Sequence, residues 1–340
     1  MSVKARKNEI LSADKSSEEH AFDEHIRPQS LDEYIGQKTI KDNLRVFLSA
    51  ATGRAEPLDH VLLYGSAGLG KTTLAAIIAK EMNKNIRTTS GPAIERPIDL
   101  VITLKGLKEG DILFVDEIHR LKRPIEEILY SAMEDFILDR VVSKGVGAKP
   151  IRIPLPKFTL IGATTRSGSL SAPLRARFGI LLSLAFYEPE HLKQIILRSA
   201  KILNVSITDL AAGELARRSR GTPRIANRLL RRIRDFADVK NEGIIDDKLA
   251  SYALLALGVD RNGLDNVDMK ILETLAVKFR GRAIGLDTLS ASVCEEPENI
   301  EEVYEPYLLQ LGFIDRTQKG RVATALTYEY LHLPVPEHLA

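Results

Sequence analysis

With 340 residues, the chain is too long for one ordinary hydrophobic core and long enough for two or three domains. Its formal net charge of +2, from 48 Lys and Arg against 46 Asp and Glu, excludes a uniformly basic nucleic-acid coat, so any polyanion site must be local. The single cysteine, Cys294, excludes an intrachain disulfide, and neither a signal-peptide core nor a bilayer-length apolar run is present, so a reducing cytosol is the expected compartment.

Residues 1–20 mix charge with serine, have no sustained apolar period and read as a loosely attached leader. A large unit is expected over 21–187. Between His60 and Leu184 the short runs "HVLLY", "IRTTS", "DILFVDE", "FTLIGAT" and "GILLSL" alternate with helix-period segments. These runs are continuous rather than alternating in hydrophobicity, which predicts strands buried on both faces of a parallel α/β sheet. From 188 to 258 the pattern is purely helical, and "GVDRNGLDN" then reads as a linker. Over 259–340 come three helices, "VDMKILETLAVKF", "LDTLSASV" and "NIEEVYEPYLLQLGF", closed by the hairpin-like "FIDRTQKGRVAT".

"YGSAGLGKTT" sets Gly65, Gly70, Lys71 and Thr72 in the spacing G-x-x-x-x-G-K-T, after a strand and before a helix, as a P-loop requires. Backbone N–H groups at a helix N-terminus wrap phosphate there, and only glycine lets the main chain approach so closely. Lys71 supplies a point charge to the β and γ phosphates, and the Thr72 hydroxyl reaches Mg²⁺. "DILFVDEIHR" ends in Asp116, suited to the Mg²⁺ shell, and Glu117, suited to polarising the attacking water. A second acid beside the metal acid points to hydrolysis, and the absence of an N-K-x-D run favours ATP over GTP. "FTLIGATTRSG" ends in Thr164 and Thr165, either of which can hold water or the γ phosphate by its hydroxyl.

"SAPLRARFGI" offers Arg175 and Arg177 with no carboxylate in the run. Because it lies between "FTLIGAT" and "GILLSL", it is expected at the same sheet edge as the nucleotide pocket. A pocket that already has Lys71 and Mg²⁺ gains most from a cation supplied by a neighbour, so Arg177 is the candidate arginine finger acting in trans. "SRGTPRIANR" places Arg224 at a helix start, on the lid side of the nucleotide. The eight arginines from Arg217 to Arg234 read, for the most part, as a solvated helix face.

The P-loop, "VDEIHR", "GATTRSG", "PLRARFG" and "RGTPR", in this order and spacing, resemble those of the AAA+ ATPases, and the wording from about His25 to about Glu337 is similar to the RuvB family of Holliday-junction branch-migration motors. The resemblance implies an α/β AAA+ P-loop domain with a parallel sheet, a small helical lid and a C-terminal winged-helix head. It implies homo-hexameric rings that hydrolyse ATP with Mg²⁺ and drive duplex DNA at four-way junctions, in recombination and repair. It places Ile26 and Arg27 against the adenine, Tyr187 on the base side at the domain hinge, and Gly68, Lys71, Thr72 and Thr73 on the phosphates. Thr165 corresponds to sensor 1, Arg224 to sensor 2, Arg177 to the trans-acting finger, and Glu134, Asp135 and Phe136 to a nucleotide-facing segment at the subunit interface.

In the same resemblance the segment 139–156 is a protruding β-hairpin that docks a RuvA-type junction-binding protein. Its tip, "SKGVGAK", lacks a large apolar anchor, which leaves flanking residues such as Val141, Val142, Ile151 or Ile153 to make the contact. The resemblance also implies a RuvC-type resolvase in the same complex. Arg316 and Arg321 match family DNA contacts on a wing that also carries Lys319, a sequence-independent phosphate grip. Where some relatives have a further arginine, "EEPENI" is acidic, implying a weaker hold on DNA. The engine motifs alone equally fit a clamp loader or protein remodeller; the winged head favours DNA.

Overall fold

The computed structural model describes residues 25–141 and 150–337, so the leader and the hairpin tip with Val142 lie outside the described residues. The chain divides into two compact units, Arg27–Gly65 with Leu69–Ala185, and Ser66–Gly68 with Phe186 onward and the segment ending at Ile26. Among the described residues no helix is long and apolar enough to cross a membrane.

In the first unit, α1 (Lys38–Arg54) precedes β1 (Val61–Tyr64), α2 (Lys71–Glu81), β2 (Ile86–Ser90), α3 (Pro97–Lys105), β3 (Ile112–Asp116) and α4 (Arg123–Glu134). After them come β4 (Ile137–Val141), β5 (Pro150–Pro154), β6 (Thr159–Thr164), the single turn α5 (Ala172–Arg175) and β7 (Ile180–Ser183). Strands β2-β3-β6-β1-β7 form one parallel sheet in that order. All six residues of β6 are buried, as the continuous apolar pattern predicts for a central strand. The edge strands depart from that expectation: β7 alternates buried and exposed, and β2 has no fully buried residue, because an edge position leaves part of each strand uncovered.

Antiparallel pairing of β4 with β5, from Ile137 opposite Pro154 to Val141 opposite Pro150, builds the expected hairpin. Phe158 belongs to an apolar core with Leu129, Leu174 and Phe178, and its ring packs against buried His60, 5.7 Å between centroids. The His60 Nδ1 accepts from the Leu160 N–H (2.9 Å), which leaves Nε2–H to donate to the Met133 carbonyl (3.0 Å). Burial holds this imidazole neutral, below the ordinary histidine range.

The second unit holds α6 (Pro189–Ile202), α7 (Asp209–Arg217), α8 (Pro223–Lys240) and α9 (Asp247–Ala256). It is not purely helical. β8 (Ser206–Ile207) pairs in parallel with β9 (Ile244–Ile245), just ahead of the capping residues Thr208 and Asp246, and satisfies backbone groups that no helix could reach. Nor is the arginine run simply a solvated face: Arg218, Arg220 and Arg228 are buried. The segment expected as a linker is a packed turn, with Val259 and Leu264 buried and the Asp260 carboxylate accepting from the N–H groups of Asn262 and Leu264.

Beyond that turn, α10 (Asn266–Glu273) runs into a π-turn at Thr274–Lys278, then α11 (Leu286–Val293), α12 (Pro297–Asn299), a π-turn at Ile300–Tyr304 and α13 (Glu305–Gln310). The hairpin of β10 (Ile314–Thr317) and β11 (Gly320–Ala323) follows, and then α14 (Ala325–Tyr330), a helix absent from the expectation. Its Thr327 is buried, and its Tyr328 packs in the same apolar cluster as Leu275, Leu289 and Leu308.

Candidate nucleotide site and wing

Strand order sets the geometry of the phosphate site. Because β6 lies between β3 and β1, their carboxyl ends bring Asp116, Thr164 and the P-loop side by side, at the point where strand order reverses and α/β sheets bind ligands. Gly70 enters α2 with φ 96°, a left-handed cap that aims the first N–H groups into the loop. Gly68 is also left-handed at φ 80°, and a Cβ there would lie 2.9 Å from Arg224 Cβ. In the second unit, therefore, the loop crest and the start of α8 touch, and the Arg224 N–H donates to the Gly68 carbonyl (3.4 Å).

Lys71 is buried and its Nζ donates to the Gly65 carbonyl at 2.7 Å. The Thr72 hydroxyl lies 3.5 Å from Asp116 Oδ2. Two hard oxygen donors at this spacing beside a phosphate loop suit Mg²⁺, which keeps waters and substrate phosphates as most of its ligands. Glu117 sits in left-handed conformation (φ 47°), its N–H held by Asp116 Oδ1 (2.9 Å) and its carboxylate 3.3 Å from Arg120 Nε, so its side chain leaves the strand in a different direction from Asp116.

The two threonines separate cleanly. Thr164 is fully buried; its hydroxyl bonds His119 Nδ1 (2.9 Å) and accepts from the Arg166 N–H (2.9 Å). Thr165 Oγ1 is buried with no hydrogen-bond partner among the described residues, the state of a group built for a ligand oxygen. His119, which sequence reasoning passed over, is held neutral with its pKa down at about 4, first by burial and then by the cations Arg166, Arg120 and Lys71. Only its position three residues after Asp116 could have flagged it.

Arg177 contradicts the expected placement at the pocket's edge. It lies three residues before β7, and Ile180 of β7 is opposite Val61 at the start of β1, whereas the P-loop follows the end of β1. Those ends are separated by three residue steps, about 10 Å of strand. Arg177 therefore stands at the amino end of the sheet, opposite the end that carries the P-loop. There its Nη2 meets Glu134 Oε2 (2.8 Å) and its Nη1 the Pro173 carbonyl (2.8 Å). Glu134 and Asp135 are exposed at that end. Phe136, expected to face nucleotide, instead packs half-buried against Phe158 and His60, because the polypeptide turns inward there.

Thr73 and Arg27 are half-buried in the first unit. In the second unit Ile26 is buried and its carbonyl accepts from Arg198 Nη1 (2.7 Å); Tyr187 is buried and its N–H donates to the Gly221 carbonyl (2.8 Å). The same unit has a cleft lined by Gly68, Arg220, Arg224, Arg228, Glu302 and Tyr307. Three cations face one carboxylate there, a juxtaposition of distant segments that no local motif could signal.

On the wing, Arg316 is exposed with a 3.0 Å contact to Glu301, and Lys319 is exposed. Arg321 departs from its expected role as an outward DNA contact. It is buried and donates to both oxygens of the buried Glu305, at 2.9 to 3.2 Å, because β11 turns this position inward beside the Ile284 bridge.

Comparison with known proteins gives three consecutive family matches: the Holliday junction DNA helicase RuvB P-loop domain over residues 26–184, the RuvB AAA lid domain over 187–260, and the RuvB C-terminal winged helix domain over 261–332. The solved structure of the Thermotoga maritima RuvB Holliday junction branch migration motor is 49% identical, with a TM-score of 0.84 over 92% of this chain and all of that one, 100%. A single-substitution variant of the same Thermotoga protein superposes with a TM-score of 0.85 at 49% identity, covering 92% of this chain and 99% of that one.

Proposed function

Since the chain belongs to the RuvB family of Holliday-junction branch-migration ATPases, we propose that it works as an Mg²⁺-dependent, ATP-driven motor on duplex DNA at four-way junctions, as a homo-hexameric ring whose pockets are each completed by the next protomer. A RuvA-type junction-binding protein docks on the β4–β5 hairpin, and a RuvC-type resolvase joins the same complex. Wing phosphate contacts come from Arg316 and Lys319, with Arg321 bracing the wing from inside.

Within one pocket, the P-loop N–H groups and Lys71 bind the β and γ phosphates, and Thr165 offers its free hydroxyl to a γ oxygen. Thr72 and Asp116 would hold Mg²⁺, which when bound neutralises phosphate charge. Glu117 takes the proton of the attacking water. Arg224, tied to the loop crest through Gly68, reads the nucleotide from the lid, with Ile26, Arg27 and Tyr187 on the base side.

The observation that carries the trans assignment is the position of Arg177 at the amino end of the sheet, while Lys71, Thr72, Asp116 and Thr165 gather at the carboxyl ends. A cation there has no path to its own γ phosphate, but a head-to-tail ring presents it to the neighbour's. Mixing Arg177→Ala protomers, which keep an intact pocket, with Glu117→Gln protomers, which keep an intact finger, tests this. Random assembly makes about one quarter of the interfaces complete, so turnover should recover to roughly that share of wild type. A mixture as inactive as each parent rules the trans role out.

A further inference from the structure

Helix α4 carries Glu126, Tyr130 and Glu134 at intervals of four, which puts all three on one face. That face meets the finger segment along its length. At one end Glu126, 7% exposed, accepts from the Ser171 hydroxyl (2.7 Å) and the Tyr130 hydroxyl (3.1 Å). Ser171 is also the N-cap of α5 and accepts from the Leu174 N–H (3.4 Å), so the Glu126 carboxylate fixes the residue that fixes the turn. In the middle, the Tyr130 ring lies under the Arg177 guanidinium, 4.7 Å from centroid to Cζ. At the exposed end Glu134 bonds the same guanidinium.

A buried carboxylate whose contacts are hydroxyls is a poor device for stability, since desolvation offsets most of what those hydrogen bonds contribute. It is a good device for direction. A long arginine side chain has several rotatable bonds, and a misplacement of about 1 Å of a charge meant for a transition state can cost on the order of a hundredfold in rate. We propose that Glu126 and Tyr130 are positioning residues for Arg177: through the Ser171-capped turn and the aromatic face they hold the finger at the angle at which it enters the adjoining protomer's pocket. This rests on the reading of Arg177 as a trans-acting finger.

The full-length variants Glu126→Leu, Glu126→Gln, Tyr130→Leu and Tyr130→Phe test it. Each should bind a fluorescent ATP analogue as wild type does, because the phosphate site lies at the other end of the sheet. In Glu126→Leu and Tyr130→Leu, kcat should fall about tenfold or more with KM within about twofold; Glu126→Gln, which keeps an acceptor oxygen, and Tyr130→Phe, which keeps the ring, should recover most of the rate. The deciding readout is direction. Mixed with Glu117→Gln protomers, the Leu variants should regain turnover as Arg177→Ala does, because their own pockets receive a sound finger. Mixed with Arg177→Ala protomers, they should stay low.

Loss that follows the variant's own pocket, or full rescue of Arg177→Ala by a Leu variant, overturns the positioning role. If the parental mixture of Arg177→Ala with Glu117→Gln fails to recover, the trans reading itself is at fault and the proposal falls with it. Should Glu126→Leu fail to fold, the Tyr130 pair decides alone: equal turnover in Tyr130→Leu and wild type sinks the idea.

Discussion

Arg220 and Asp268 form an ion pair whose side chains are 2% and 0% exposed, joining the residue that precedes Gly221 to the first turn of α10. Arg220 also donates to the Gly263 carbonyl (2.8 Å) and lies over the rings of Tyr304 and Tyr307, so one guanidinium ties the arginine-rich segment to three parts of the C-terminal region. Four residues later stands Arg224, in contact with the P-loop crest. The pair therefore belongs to the same packed body as the edge of α8 that touches the loop crest at Gly68.

Removing one partner of such a pair leaves a buried charge uncompensated. Asp268→Ala should destabilise by about 3–5 kcal/mol, whereas the double replacement Arg220→Met with Asp268→Leu should regain most of that. Urea unfolding midpoints of the single and double variants measure it; a double variant no more stable than the single one would contradict the account.

The two threonines at the end of β6 should fail differently. If Thr165 contacts the γ phosphate as proposed, Thr165→Val, which removes a buried hydroxyl that has no partner among the described residues, should drop kcat for ATP about a hundredfold with nucleotide binding retained. Thr164→Val strips the partner from His119 and from the Arg166 N–H, which should lower stability by about 1–3 kcal/mol. Steady-state kinetics and thermal melts on both variants separate the outcomes.

On the wing, Arg316→Ala should weaken duplex DNA binding evenly across sequences and reduce the slope of log K against log salt by about one. Arg321→Ala should instead strand the Glu305 carboxylate inside the head and cost about 3–5 kcal/mol of folding stability. Salt titrations of DNA affinity, read beside melting curves, test whether the two arginines divide in this way.

Stability should decline with acidification through the histidine range. An unfolded chain protonates His60 near the ordinary value of 6.5, while the fold keeps it neutral to lower pH. In that window the unfolded state binds more protons, so stability is present above 6.5 and is lost as pH falls. The melting temperature of His60→Gln should be lower than wild type at neutral pH and flatter between pH 7 and 5, the interval being about that over which the unfolded imidazole titrates.

The local motifs were legible because each is written in consecutive residues. Gly65, Gly70, Lys71 and Thr72 must be neighbours in sequence for backbone N–H groups to wrap a phosphate, and the apolar runs behind Asp116 and Thr164 must be continuous for strands buried on both faces. Hidden from that reading was every relation set by long-range packing. Nothing near "PLRARFG" tells which end of the sheet it reaches; strand direction decides that, and it moved Arg177 to the end opposite its own pocket.

In the same way, the sequence determined that arginines crowd 217–234 and that a basic turn closes the chain, but only tertiary structure decided which charges face water. Arg220 and Arg321 turned inward because carboxylates and carbonyls from distant segments were there to receive them, or because the strand pleat left no other side. A side chain's identity is fixed by the chain; its dielectric surroundings are a property of everything packed around it.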